Sequence, residues 1–332
     1  MIVALGANRP PERFYRGGAR IARFRGGADA ASHEPEDWIG SVTAVAGHES
    51  QGLTRLPDGR LLRDAIAADP EHWLGARHVA RWGADPQLLV KLLDAGQRLP
   101  VHAHPSDAFA HTHLGRTHGK AEAWYILEGG IVHVGLREDV DPAALSALVA
   151  AQDTDALLGL LHAVEVSPGD VVWVPPGELH AIGAGVFLLE LQQPEDLSIL
   201  LEWDGFALDG MREGHLGLGF DVALRAVNHR ARTSDEVGAL VRRAPASGSV
   251  FPAAADAFFR LERHRIGDGG ADAATLEAGF AVVVVTAGQA DLDGLDAPAG
   301  ATLLVPAAAG AIPVRGSGDG DAEVLVARPP RA

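Results

Sequence analysis

The chain of 332 residues contains no cysteine. That excludes a disulfide framework, and it excludes a thiolate zinc site as well. No run of about 18 apolar residues is present to cross a bilayer as a helix. The opening residues, MIVALGANRPPERFYRGG, lack the long apolar core of a secretion signal, so the cytoplasm is the expected location. Positive charge is scarce. Lys and Arg number 28 against 44 Asp and Glu, a formal net charge of −16, which disfavours non-specific binding to nucleic acid or to an acidic membrane. Apolar side chains make up 47% of the residues, ordinary for a soluble globular protein. The length permits a large core and two or three modules.

Chemistry concentrates between residues 96 and 182. The run GQRLPVHAHPSD sets His102 and His104 two apart in extended context, where both point to one face of a strand. Glu122 follows in GKAEAWYILEGG. His180 ends GDVVWVPPGELHAI, in which Pro175 and Pro176 fix the corner that presents it. A set of three histidines and one glutamate suits one divalent first-row ion with positions left open for a ligand: zinc first, with manganese, iron or nickel as alternatives. Three more histidines, His111, His113 and His118, sit in a Gly- and Thr-containing loop without a strand period and are left out of the set.

Around this stretch the chain reads as mainly β. Residues 1–85 form a mixed N-terminal segment packing on a first barrel, with one or two strands over Phe14–Gly26 and a helical period over Leu62–Gly75 that breaks at Asp69-Pro70. The metal-binding barrel spans 86–203. Within it, Ala123–Gly129 and Val132–Leu136 pair as a hairpin across Gly129-Gly130. A small helical insertion occupies 141–164: one helix starts at an Asp141 cap with Pro142 in its first turn, and a second runs over Thr154–Val164. Residues 204–236 connect, and 237–332 form a second barrel. There Gly300-x5-Pro306 repeats the spacing of Gly169-x5-Pro175 without any histidine following. A degenerate repeat that kept the fold and lost the metal explains this.

Glycine, His-x-His, glutamate, then glycine, a Pro-x-Gly corner and a final histidine together resemble the paired motifs of the cupin superfamily. The resemblance narrows further. LVKLLDAGQRLPVHAHPSD (89–107), GKAEAWYIL (119–127) and VPPGELHAIGAGVFLLELQQPEDL (174–197) are similar to the bacterial class I mannose-6-phosphate isomerases. The likeness covers residues 86 to about 205 well and the ends only in outline. It implies two cupin barrels (double-stranded β-helix, or jelly-roll) with a helical insertion, and zinc held by His102, His104, Glu122 and His180. It also implies a catalytic lysine at Lys120, a catalytic glutamate at Glu190 and interconversion of an aldose and a ketose through an enediol.

The pattern departs from that family at three places. His102 stands where it usually has glutamine, Pro100 where it has a serine linked to phosphate binding, and Leu200 where it has an arginine. A guanidinium offers five donors and a fixed charge, and neither Leu200 nor Pro100 replaces these. Arg98, Arg116 and Arg137 are the candidates to contact a phosphate, and Lys91, inside an apolar run, either snorkels outward or enters the cavity. The expected substrate is therefore a small carbohydrate, mannose 6-phosphate or a related free or phosphorylated sugar, with less dependence on phosphate than in the resembled enzymes. A cupin oxygenase or epimerase acting on a small polar metabolite, and a non-catalytic sugar-binding cupin, are the alternatives. A monomer or homodimer is expected, with neither nucleic acid nor membrane as partner.

Overall fold

The computed structural model describes residues 1–27, 30–267, 273–318 and 320–332. Strands dominate. The first eleven are β1 (Val3–Ala4), β2 (Glu36–Ile39), β3 (Leu89–Asp94), β4 (His102–Ala103), β5 (Glu122–Glu128), β6 (Gly130–Leu136), β7 (Leu161–Val166), β8 (Val171–Val174), β9 (His180–Ile182), β10 (Phe187–Gln192) and β11 (Ile199–Leu200). Then come β12 (Val241–Arg242), β13 (Gly248–Ser249), β14 (Arg260–Ile266), β15 (Ala274–Leu276), β16 (Ala281–Ala287), β17 (Gln289–Leu292), β18 (Leu295–Pro298), β19 (Thr302–Val305), β20 (Ile312–Gly316) and β21 (Ala322–Arg328).

They build two sandwiches of antiparallel sheets. In the first, the order β12-β8-β5-β10-β3-β2 lies over β11-β4-β9-β6-β7; in the second, β1-β19-β16-β21-β14-β13 lies over β15-β20-β17-β18. Sheet membership crosses the expected segment boundaries at three places. Strand β2 of the N-terminal segment pairs with β3 of the first sandwich. Strand β1 at the N-terminus pairs with β19 of the second sandwich, and β12 pairs with β8 of the first. Alternation sorts the side chains of each strand between two faces. In the first sandwich, strands β3, β5 and β10 are buried on both, because their sheet is covered on both sides. One apolar cluster joins Trp124, Val172, Leu189 and Leu191 of the first sandwich to Val282, Leu304 and Leu325 of the second. The two six-stranded sheets thus pack against one another, and Tyr125 donates to Glu323 across the join at 2.9 Å. The outer face of the five-stranded sheet is closed by helices instead. Leu145, Val149 and Leu157 from the insertion bury against Ala103, Leu136 and Ala181.

Local signals set the helices that the sequence announces. Asp141 caps Pro142–Ala151 by accepting from the amides of Ala143 and Ala144, and Asp69 ends Leu62–Ala68 while capping Pro70–Leu74. Three expectations need correction. The stretch expected as strand over Phe14–Gly26 contains a helix, Ala19–Phe24, whose Ile21 and Ala22 are buried; four apolar residues among basic ones fit either period. The second insertion helix stops at Gly159 and the chain turns into β7. The hairpin at Gly129-Gly130 does not form. A two-residue turn of that kind needs positive φ, and neither glycine has it. The pair instead carries the chain from one sheet to the other, so that β6 pairs with β7 and β9. A Cβ at Gly129 would lie 2.3 Å from the Val166 carbonyl oxygen, which leaves no room for any other residue at this corner.

Candidate active site

The interior of the first sandwich is polar at one end. Strands β4 and β9 place His102 directly opposite His180, with ring centroids 4.1 Å apart, and His104 follows on the same face. All three are buried. Each ring is oriented by a backbone carbonyl at Nδ1: Pro100 for His102 at 2.8 Å, Leu197 for His104 at 2.7 Å and Glu178 for His180 at 2.8 Å. A carbonyl only accepts, so each Nδ1 carries the proton and each Nε2 presents a lone pair. The three candidate donor atoms lie within 4.8 Å of one another.

Glu122, at the start of β5 on the facing sheet, closes the group. Its carboxylate reaches the Nε2 of His104 at 2.9 Å and that of His180 at 3.1 Å. Burial pushes the His104 imidazole down to about 4, helped by the Lys120 charge, and burial with the neighbouring histidines holds His102 well below its usual range. Burial alone would raise the Glu122 carboxyl. Lys120, His104 and His180 overcome it and hold that group well below the usual carboxylate range. Neutral imidazole lone pairs therefore face an ionised carboxylate, and the Nε2 of His180 has no hydrogen-bond partner although wholly buried. Acceptors that converge in this way repel one another unless a cation is shared among them, and Lys120 reaches only Glu122 and His104. The arrangement fits a cation of about the size of a divalent metal ion.

Beside these groups, Lys120 donates to Glu122 at 2.8 Å and lies 3.1 Å from the Nε2 of His104. Glu190 on β10 stands opposite Lys91 on β3, and the ammonium reaches it at 3.5 Å. Lys91 thus enters the cavity. It also meets Glu36 of β2 at 3.6 Å and lies 4.6 Å from the centre of the Trp38 ring. Burial, then the charge of Glu122, raises the Glu190 carboxyl to about 7 against the pull of Lys120 and Lys91.

The cavity has further walls that sequence reasoning missed. Arg13 reaches in from the N-terminal segment, pairing with Glu36 at 3.1 Å and Asp196 at 3.5 Å. Tyr15 and Trp38 both donate to Glu36, at 2.7 and 2.6 Å. Burial raises Glu36, but Arg13 and Lys91 outweigh it and bring it down to about 2. One signal was available: Glu36 and Trp38, two apart on one strand, share a face with Lys91. Arg13 had none, because it acts across 183 residues of sequence. Pro100 and Leu200 also line this cavity.

Other expected contacts do not reach it. Arg98 is committed to Glu202, donating to both carboxylate oxygens, the longer contact at 2.7 Å. Arg137 is exposed, and its backbone amide bonds to Leu160. Arg116 is 58% exposed, 3.9 Å from Glu195, and belongs to a wider basin outside the cavity. His111 and His113 lie in the turn Ala110–Leu114 on the surface, and His118 bonds to Asp85 at 2.7 Å.

Known proteins of similar sequence and structure agree on one class. The chain is 36% identical over 203 residues to the mannose-6-phosphate isomerase ManA of Bacillus subtilis, covering 59% of this chain and 62% of that protein. It is 41% identical over 169 residues to the mannose-6-phosphate isomerase of Streptococcus mutans, covering 49% and 50%. The chain thus matches between half and two thirds of the length of these curated relatives. No family model matches it. The crystal structure of mannose 6-phosphate isomerase from Bacillus subtilis superposes with a TM-score of 0.73 at 21% identity, covering 98% of this chain and 99% of that one. A variant of phosphomannose isomerase from Salmonella typhimurium gives 0.76 at 16% identity, covering both chains completely. The structural likeness establishes that the chain shares its overall fold with these structures. Among the described residues no helix is long and apolar enough to cross a membrane.

Proposed function

We propose that the chain is a metal-dependent aldose–ketose isomerase acting on mannose, free or 6-phosphorylated. The observation that carries this reading is the convergence of three imidazole lone pairs and one carboxylate beside Glu190 and Lys120 in a single cavity. The named relatives support the reaction class. His102, His104, Glu122 and His180 would hold the ion, zinc being the first candidate for a set of nitrogen and oxygen ligands. A divalent ion bound there polarises the carbonyl and hydroxyl oxygens of an open-chain sugar.

Glu190 is the base. Its carboxylate takes the proton from the carbon next to the aldehyde and returns it to the former aldehyde carbon, through an enediol. A group near neutrality suits both transfers, and Glu190 is raised to about 7. Lys120 supplies positive charge where the sugar oxygen gains charge, gives a proton to the former aldehyde oxygen and recovers one from the hydroxyl that becomes the ketone. Lys91 and Glu36 fix the position of Glu190 from behind, and the apolar side chains of Leu93, Leu99 and Ile182 exclude water from the reacting carbons. The second sandwich carries no such cluster among its described residues, and its role in this reading is to bury one face of the first.

Metal analysis and a sugar assay test the assignment together. The protein is expected to hold one divalent ion per chain and to produce ketose, and His104→Ala to lose both. A wild-type protein that retains no ion, or an iron-loaded protein that consumes oxygen without forming ketose, contradicts it; the second outcome favours the oxygenase alternative.

A further inference from the structure

The cavity that holds Glu190 has no cation to spare. Its three positive groups are all engaged: Arg13 with Glu36 and Asp196, Lys91 with Glu36 and Glu190, Lys120 with Glu122. Four carboxylates face three cations there. A bound divalent ion would reverse that balance, but its charge lies at the reacting end of a sugar. Among the lining residues, Leu200 and Pro100 offer a phosphate dianion no side-chain donor, and Ser198 offers one uncharged hydroxyl.

The cavity opens outward past Arg13, Phe14, Asp196, Ser198 and Leu200, residues that also line an outer basin of about 720 Å³. Arg212, Arg116 and His48 stand on the wall of this basin. Arg212 has no ion pair among the described residues. It is carried by the short helix Gly210–Glu213, and packing seats that helix beside Leu200. The Leu200 amide donates to the Gly214 carbonyl at 2.8 Å, and at Gly210 a Cβ would lie 2.1 Å from the Trp203 ring, so only glycine allows the approach. The chain from 200 to 214 therefore folds back on itself. It delivers a guanidinium to the side of the basin whose floor is the apolar Leu200.

We propose that Arg212, assisted by Arg116, binds the phosphate of a 6-phosphorylated sugar in this outer basin while the reacting end lies in the inner cavity. This rests on the isomerase reading and adds to it the residues that select a phosphorylated substrate. The sequence-based expectation of weakened phosphate dependence follows from Leu200 and Pro100, and Arg212 restores the missing charge from a different element. A guanidinium–phosphate pair binds through charge-assisted, commonly bidentate hydrogen bonds.

The test compares kcat/KM for mannose 6-phosphate and mannose with the metal-loaded protein, in wild type, Arg212→Ala, Arg212→Lys and Arg116→Ala/Arg212→Ala. Calorimetric titration with mannose 6-phosphate accompanies it. Wild type is expected to prefer the phosphorylated sugar, and Arg212→Ala to cut that preference about tenfold or more. Arg212→Lys should recover part of it, and the double variant should lose most of what is left. A wild-type preference that survives in the double variant overturns the proposal, as does equal use of both sugars by the wild type. If neither sugar is turned over, the isomerase reading fails, and the titration still decides the subsite: binding of mannose 6-phosphate that weakens in Arg212→Ala supports it, and binding that does not change overturns it.

Discussion

Glu190 is buried among Leu188, Leu189 and Leu191, and it pairs with Lys91 at 3.5 Å. Burial and the charge of Glu122 leave its carboxyl at about 7, against an ordinary glutamate near 4.3 in the unfolded chain. Two consequences follow. As a base, Glu190 must be ionised, so kcat/KM is predicted to fall as pH drops through an acidic limb at or below about 7. A bound cation favours the ionised form and moves the limb downward. A profile flat from pH 5 to 9 would remove Glu190 from this role. For stability the sign is opposite. A carboxyl raised in the folded state contributes fully below its unfolded value and loses that contribution as pH rises through about 7. Glu190→Gln is therefore predicted to gain about 1–3 kcal/mol in unfolding free energy at pH 8 and nothing near pH 4. Urea titrations at the two pH values measure this; a loss at pH 8 would contradict it. Much of the site could be read from the sequence at this scale, because His102, His104, Glu122 and His180 sit beside glycines and prolines whose corner-forming effect is local. Arg13 and Asp196 could not, since nothing local marks an ion pair between distant segments. The same reason misplaced Arg98, whose partner Glu202 lies 104 residues away.

Elements deliver these residues through backbone contacts that tolerate little change. The segment leading into β5 runs beside the turn after His104. Gly119 donates to Asp107 at 2.8 Å, and the Lys120 amide donates to the Pro105 carbonyl at 2.9 Å. A Cβ at Gly119 would stand 2.3 Å from that same carbonyl oxygen. Gly119→Ala must therefore push the segment away from Pro105, shifting Lys120 and Glu122 relative to His104. The predicted cost is about 1–3 kcal/mol of stability, with weakened metal retention, measured by denaturant unfolding and by metal content after dialysis. Wild-type stability and metal retention in this variant would show that the segment is not held by this contact. Element type was legible wherever one signal stood alone. Asp141-Pro142 starts a helix, and the run at 89–94 is a buried strand. It was not legible at Gly129-Gly130, where a glycine pair suits a hairpin and an inter-sheet corner equally and only sheet packing decides. Nor was it at Ala19–Phe24, a helix too short to show its period.

Across the whole molecule the two sandwiches share one apolar join, reinforced by Tyr125 with Glu323 and by Trp173 beside Phe258 and Phe259. The join buries the back of the sheet that carries Lys91, Glu122 and Glu190. In the proposed reading, a second sandwich with no metal cluster among its described residues serves to dry and stiffen the sheet that carries Lys91, Glu122 and Glu190. Strands β16, β19 and β21 are short, largely apolar runs of the sequence, but the entry of β1 into the second sandwich and of β12 into the first leaves no such mark, because edge pairing depends on neighbours far away in the sequence. The central claim concerns the reaction that this assembly supports. Its most direct measurement is proton NMR of mannose 6-phosphate, and separately of mannose, incubated in D2O with zinc-loaded protein. The account predicts that the matching ketose forms with solvent deuterium on its C1, and that Glu190→Gln slows this by about a hundredfold or more. Absence of ketose from both sugars, or a Glu190→Gln protein that forms it at the wild-type rate, would contradict the account.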